Sequence, residues 1–394
     1  MNAQLRLTEE EAKALAKEHG TPLLVVSTKR VTENYQYLKR KLPRVEVHYA
    51  MKANPDEHIV RTLADLGSCF DVASAGEMEA LTAMGIAAAR IVYANPVKTA
   101  EGLETAKRLG IHRFTYDSAS EVDKMAAVIP RGEVLLRVRV ENPEALVDLN
   151  KKFGASVGEA LELLRRARDK GLCVKGLCFH VGSQSATADA YVRALKQCRD
   201  LFDLAAEEGM HLTTLDIGGG FPIPINGQDI NLDEMTETIQ KYVDELFPDT
   251  ELWSEPGRFL CGTAVQLITQ VIGVKNRDEQ VWYFLDEGVY GSFSGIFFDH
   301  WNYEFVYFKD GEQHPATFAG PSCDSLDILY RGHNAPALEE GDLILVPDCG
   351  AYTSASATTF NGFAKAKSIV WETENTKSYT VLKNEQRHFI ADAV

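Results

Sequence analysis

Residues 176–222, GLCFHVGSQSATADAYVRALKQCRDLFDLAAEEGMHLTTLDIGGGFP, hold an apolar run, a long helix-patterned stretch and a second apolar run, in that order. GLCFHVG (176–182) and TTLDIGG (213–219) are short, rich in strand formers and end in glycine, whereas YVRALKQCRDLFDLAAEEG (191–209) sets Ala, Leu and Phe at helical spacing. Two strands joined through a helix of this length run parallel, because an antiparallel pair needs only a tight turn. The same alternation extends outward. VEVHYA (45–50), CFDVAS (69–74), RIVYAN (90–95), RFTYDS (113–118), VLLRVRV (134–140) and ELWSEPG (251–257) complete a set of eight runs, separated by stretches such as AGEMEALTAMG (75–85) and VGEALELLRRARDKG (157–171). Eight strand–helix units in about 240 residues match a closed (β/α)8 TIM barrel better than the alternative, an open doubly wound sheet.

Outside this region the texture changes. AVQLITQVIGVK, QVWYFLDEGVYGSF, EFVYFKDGEQHPATFAG and DLILVPDCGAYTS, all beyond residue 263, read as short strands broken by turns such as Asp310-Gly311. The expectation is a barrel over 28–265 and a discontinuous, mostly β domain from 1–27 and 266–394. In the former piece, TPLLVVS (21–27) supplies a strand for the later domain. Thr8 with Glu11 forms a capping box that predicts a helix over 9–19, ended by Gly20.

The 394 residues exceed a comfortable single core, in keeping with two domains. A formal charge of −16 repels phosphate backbones and anionic lipid, which argues against nucleic acid and membrane partners. The seven cysteines are scattered, with no CxxC pair and no zinc-type His spacing, so no metal is expected. Reduced thiols, with no signal-like or spanning apolar stretch, predict a cytoplasmic protein.

In a barrel the C-terminal strand ends converge on one mouth. Here they carry Lys52, Asp71 with Glu77, Asn95, Asp117, Arg137, His180 with Ser183, Gly218 to Gly220, and Glu255 with Arg258. Singly each has a bland reading: a solvated lysine, a rim histidine, a glycine turn. Together they describe an amine able to form an imine, a phosphate cradle and a carboxylate for a ring nitrogen, which are the needs of pyridoxal phosphate. The cradle combines the triple glycine, the N-terminus of a following helix, Ser183 and Arg258. DIGGGFP lacks the GxGxxG and GxxxxGK[ST] patterns, so a small phosphorylated ligand fits better than a nucleotide. The apolar approach HYAMKAN around Lys52 predicts a partly desolvated amine.

With these residues in place, the chain resembles the fold-type III pyridoxal-phosphate decarboxylases, whose barrel is of the alanine-racemase type. The resemblance runs through YAMKANP, FDVASAGE, YANPVK, KFGA, FHVGSQS, LDIGGGFP, EPGRF, DEGVYGSF, GPSCDSLD and GAYTSASATTFNGF, and is greatest to the bacterial lysine/ornithine decarboxylases. It implies that Lys52 holds the cofactor aldehyde, Glu255 the pyridine nitrogen, and that His180 stacks on the ring, supported by Glu77. It implies phosphate contacts from Ser183, Gly219, Gly220, Arg258 and Tyr352, with Asp71 and Arg137 also at the cofactor and Phe360 lining the pocket. It further implies a homodimer in which Cys323 and Asp324 cross to the neighbouring subunit's site. There Cys323 would protonate Cα, while Asp324 and Asp299 face the distal ammonium of a small basic amino acid. Phe298 departs from the Tyr of eukaryotic ornithine decarboxylases. The implied reaction is decarboxylation of lysine to cadaverine or ornithine to putrescine, a step of polyamine biosynthesis. The alternatives are a diaminopimelate decarboxylase, disfavoured by Asp324 and Ser325 where a Glu-bearing CES loop is typical, and a non-catalytic antizyme-inhibitor-like regulator.

Overall fold

Runs such as Val134, Leu135 and Leu136, each at most 2% exposed, are apolar on both faces, which suits strands covered by side chains inside and helices outside. The computed structural model of the protein describes residues 3–140, 152–224, 230–277 and 280–377. Eight such strands close into a parallel barrel: β1 (Val45–Ala50), β2 (Cys69–Val72), β3 (Ile91–Tyr93), β4 (Arg113–Tyr116), β5 (Glu133–Arg137), β6 (Cys173–Cys178), β7 (Thr214–Asp216) and β8 (Glu251–Ser254). Leu252 of β8 pairs with Val45 of β1 and so shuts the ring. The (β/α)8 expectation is borne out, and the open-sheet alternative is set aside.

Local sequence explains the crossovers. Asp56, Ser74 and Thr99 follow β1, β2 and β3, and each side chain accepts a backbone N–H in the first turn of the next helix. The helix Val157–Asp169 turns Ala160, Leu163, Leu164 and Ala167 onto the barrel while Arg165 and Arg168 stay outside. Inside the ring, Val92, Leu135, Cys178 and Trp253 pack into one layer. Strand alternation therefore decides which residues reach the mouth.

The chain divides into two compact units, Thr32–Pro222 with Ile230–Leu260, and Met1–Val31 with Ile223–Asp229 and Cys261–Val394. The last part of the sequence-based β domain, residues 378–394, lies outside the described residues. In the second unit the long strand Val265–Arg277 pairs antiparallel with Gln280–Leu285, Leu343–Val346 and Leu23–Val26. Leu23–Val26 also pairs parallel with Lys367–Val370. The helix Glu9–His19 begins at the Thr8/Glu11 capping box and ends at Gly20. Leu15, Leu23, Val25, Ile268 and Leu345 form a core behind it.

In this unit Glu287 is 6% exposed, and burial pushes its carboxyl up to about 7 against opposing bonds from the Gly288 N–H and the Ser292 hydroxyl. The folded state therefore keeps a proton that the unfolded chain releases near 4.5. Stability from this group is full below that value and is lost as pH rises to about 7, a change on the order of 3 kcal/mol. Asp348, also pushed up to about 7 by burial, adds in the same direction. Urea midpoints measured at about pH 5 and about pH 8 should fall with pH, and Glu287→Gln should lessen that fall. An unchanged slope would refute the assignment.

Candidate active site

Strand β1 ends at Ala50, and a single tight turn, Met51–Ala53, places Lys52 at the C-terminal end of the barrel. Its Nζ stands 3.3 Å from Oδ2 of Asp71, which alternation turns inward near the end of β2. The Lys52 side chain is 45% exposed. The apolar sequence around Lys52 thus does not enclose the amine as expected: Met51 and Ala53 point into the core, whereas the lysine lies on the open side of the turn, beside a carboxylate.

Strands β6, β7 and β8 bring their ends to one place. A Cβ built on Gly219 would lie 3.1 Å from the His180 Nε2 and 2.5 Å from the Glu255 carbonyl oxygen. The backbone bonds agree: Gly218 accepts the Glu255 N–H at 2.8 Å, and Gly220 accepts the Ser185 N–H at 3.0 Å. Gly218 and Gly220 have φ of +69° and +110°, and Cβ atoms there would meet the Phe179 and Gly182 carbonyls at 2.1 and 2.5 Å. The glycines are required by the neighbouring loops themselves, a packing role that the sequence reading assigned to phosphate approach alone. Residues 221–224 after them are not helical, and among the described residues the following helix starts at Leu232.

His180 is partly buried, and its Nδ1 accepts the Gly182 N–H at 3.0 Å, which leaves Nε2 to carry the proton of the neutral ring. Burial, with the Arg137 and Lys52 cations, holds this imidazole well below its usual range. Glu77 does not support it. Instead Glu77 accepts the Ala73 N–H at 2.6 Å, and burial raises its carboxyl. Arg137 sits 5.2 Å from the Phe153 ring centre. Ser183, half-buried, lies on the loop after β6, and Arg258, buried, opens the short helix Arg258–Cys261 after β8.

Glu255 is the informative residue. Burial, then the Asp216 and Asp71 carboxylates, push its carboxyl well above the usual range, with Lys52 opposing. Its Oε1 is buried without a hydrogen-bond partner, as is Oδ2 of Asp216. An orphaned acceptor among like charges is stabilised by a donor cation, and the protonated pyridine nitrogen of pyridoxal phosphate is one. The residues therefore fit the cofactor that the motifs imply. Asp216 belongs to this constellation and escaped the sequence reading, although its place inside LDIGGGFP marked it.

The other expected residues belong to the second unit. Cys323 is exposed, and both its N–H and its thiol lie on the Asn361 Oδ1, at 3.2 and 3.3 Å. Asp324 accepts the Tyr290 hydroxyl, and the Tyr290 ring stacks on Phe360 with centroids 4.2 Å apart. The Leu326 N–H and then this hydroxyl hold the Asp324 carboxyl below its usual range. Cys323, Asp324 and Phe360 are thus brought together, with Tyr290 and Asn361 as members that the sequence reading missed despite quoting their motifs. Asp299 is buried at the end of the short helix Gly295–Phe298, and Tyr352 adopts a left-handed backbone, φ +57°.

Comparison with known proteins gives a consistent result. Residues 28–262 match the model of the pyridoxal-dependent decarboxylase, pyridoxal binding domain. A lysine/ornithine decarboxylase of Selenomonas ruminantium is 57% identical over 93% of this chain and 94% of its own length. A crystal structure of lysine decarboxylase from Selenomonas ruminantium superposes with a TM-score of 0.91 at 56% identity, covering 93% of this chain and 97% of that one. The Vibrio vulnificus lysine/ornithine decarboxylase complexed with putrescine gives 0.87 at 37% identity, covering 93% and 99%.

Because Gly219 lies outside the left-handed region, Gly219→Ala tests contact rather than backbone strain. The added methyl should force the β7 and β8 loops apart and weaken cofactor binding at least about tenfold. Titration of the apoprotein with pyridoxal phosphate, followed by absorbance, measures this; unchanged affinity would refute the account of the glycine.

Proposed function

The chain belongs to the pyridoxal-dependent decarboxylases, and on that premise we propose that it removes the α-carboxylate from a basic L-amino acid, converting lysine to cadaverine and ornithine to putrescine. The observation that carries this reading is the buried Oε1 of Glu255, beside Asp216 and on the same barrel mouth as the Lys52 amine. Pyridoxal phosphate, when bound, supplies an electron sink for the pair left on Cα as carbon dioxide departs.

The protein's groups serve that chemistry in distinct ways. Lys52 binds the cofactor aldehyde through its amine. Glu255 would hold the ring nitrogen protonated, its carboxylate pairing with the pyridinium N–H through a charge-assisted hydrogen bond. His180, fixed through Nδ1 by the Gly182 N–H, would help hold the cofactor ring. Asp71 orients the Lys52 amine, while Ser183, Gly219, Gly220, Arg258 and Tyr352 bind the phosphate, with Arg137 beside it.

We place Cys323, Asp324, Asp299 and Phe360 at the substrate. The Cys323 thiol delivers a proton to Cα, and the Asn361 carbonyl orients that thiol. Asp324 and Asp299 bind the distal ammonium by charge-assisted hydrogen bonds. We assign Cys323 and Asp324 to the neighbouring subunit's site in a homodimer. The exposure of Cys323, together with large apolar side chains left exposed in the same unit, such as Phe298 at 73% and Leu326 at 55%, supports a covered face. The seven cysteines are free, which agrees with the reducing cytoplasm. No helix among the described residues is long and apolar enough to cross a membrane.

Purified protein should be yellow and should turn over lysine and ornithine but not diaminopimelate, and Lys52→Ala should remove colour and turnover together. Turnover of diaminopimelate alone would overturn the reading. The two preferred substrates differ by one methylene, which is worth about 1 to 3 kcal/mol in a pocket, so their kcat/KM values should differ by no more than about 200-fold. Separately, mixing Lys52→Ala with Cys323→Ala protein should regain part of the lost activity through hybrid dimers. No recovery under conditions that exchange subunits would argue against shared sites.

A further inference from the structure

At the N-terminal end of the barrel, opposite Lys52, three chemically different donors meet. Glu46 and His48 are two apart on β1 and so face the same way, and strand register sets His48 beside Cys69, the first residue of β2. A carboxylate oxygen of Glu46, a ring nitrogen of His48 and Sγ of Cys69 all lie within 4.8 Å of one another. The Cys69 thiol is 3.3 Å from the Glu46 Oε1, and His48 Nε2 is 3.4 Å from Oε2. Ligand atoms around a tetrahedral zinc stand about 3.3 to 3.8 Å apart, given Zn–N and Zn–S bonds of about 2.0 and 2.3 Å. The two distances to the Glu46 carboxylate already have that spacing, and the third pair lies within 4.8 Å.

His48 supplies an independent observation. Its side chain is buried, at 0% exposure; Nδ1 has no hydrogen-bond partner, and Nε2 has the Glu46 carboxylate at 3.4 Å, outside good hydrogen-bond geometry. Its ring is held 4.6 Å from the Trp253 indole. A buried imidazole held by one poorly aligned contact is incompletely satisfied, and a metal ion drawn between the ring and the carboxylate would satisfy it. Glu46 is 45% exposed at the side chain, so a hydrated ion can reach the cluster from solvent and keep a water as its fourth ligand.

We propose that Glu46, His48 and Cys69 form a binding site for one divalent transition ion of the zinc class, remote from the cofactor and independent of the function proposed above. Glu46 supplies a carboxylate, and binding breaks the Cys69 S–H bond and forms a sulfur–metal bond, with the proton passing to water. One carboxylate and one thiolate neutralise a dication, so the filled site carries no net charge next to Arg90 and Arg113. Because the ion ties β1 to β2, it stabilises the folded barrel.

The test uses tag-free, chelator-treated holoenzyme titrated with cobalt(II), read as a cobalt-minus-zinc difference spectrum so that cofactor absorbance cancels, and with zinc followed by thermal unfolding. The proposal expects one ion per chain, a thiolate-to-cobalt charge-transfer band, and a higher unfolding temperature with zinc. Cys69→Ser should abolish the band, Glu46→Gln should weaken binding at least about tenfold, and Cys323→Ala should change neither. Glu46→Gln alters a half-exposed group and keeps the test decisive if Cys69→Ser fails to fold. Absence of stoichiometric binding, a band that survives Cys69→Ser, affinity unchanged in Glu46→Gln, or a band lost only in Cys323→Ala would each overturn the proposal.

Discussion

Three carboxyl groups, Asp71, Asp216 and Glu255, crowd the C-terminal end of one closed barrel, and their burial side by side shapes what surrounds them. Burial raises both Glu255 and Asp216, the Asp216 and Asp71 charges add to the rise at Glu255, and Lys52 is the cation that works against it there. A site built this way is unsatisfied by its own residues. It is completed by a ligand that brings positive charge on a flat ring and an aldehyde within reach of an amine. The glycines of the β7 loop serve the same end indirectly, because they let the His180 and Glu255 loops close to van der Waals distance.

The second unit meets a different requirement. Cys323 is exposed yet fixed through both its N–H and its thiol by one side-chain carbonyl, that of Asn361, as the proton-donor role proposed for it requires. Asn361 itself adopts φ +52°, a conformation asparagine tolerates better than most residues. Beneath the loop, Asp327 accepts the Val289 and Ser322 N–H groups at 2.9 and 3.0 Å, anchoring the turn that carries the cysteine. Gly288 and Gly320 leave room for that carboxylate, since a Cβ on either would come within 2.4 Å of it.

Much of this was legible in the chain. Eight apolar runs alternating with helix-patterned stretches identified the barrel, because both the period of strands and the reach of crossover helices are local properties. Strand ends then nominated Lys52, His180 and Glu255. What escaped depends on tertiary neighbours. HYAMKAN looks enclosing, but a one-turn helix swings Lys52 to the open side. GGGFP looks like an anion loop leading into a helix, but its glycines answer to the Phe179, Gly182 and Glu255 carbonyls, none of which is adjacent in sequence. Glu77 satisfies its own helix start instead of reaching His180. Glu46, His48 and Cys69 follow no spacing rule, because the register between two strands brings them together.

The strand Leu23–Val26 lies between Val265–Arg277 and Lys367–Val370, more than two hundred residues away on one side and more than three hundred on the other. On the ribosome this early segment emerges long before either flank exists. Its four apolar residues, all buried in the finished molecule, must wait while the whole barrel is translated. The nascent chain thus carries a sticky, unpaired β segment through most of its synthesis, and the last part of the sheet to dock is decided by the order of translation rather than by strength of pairing.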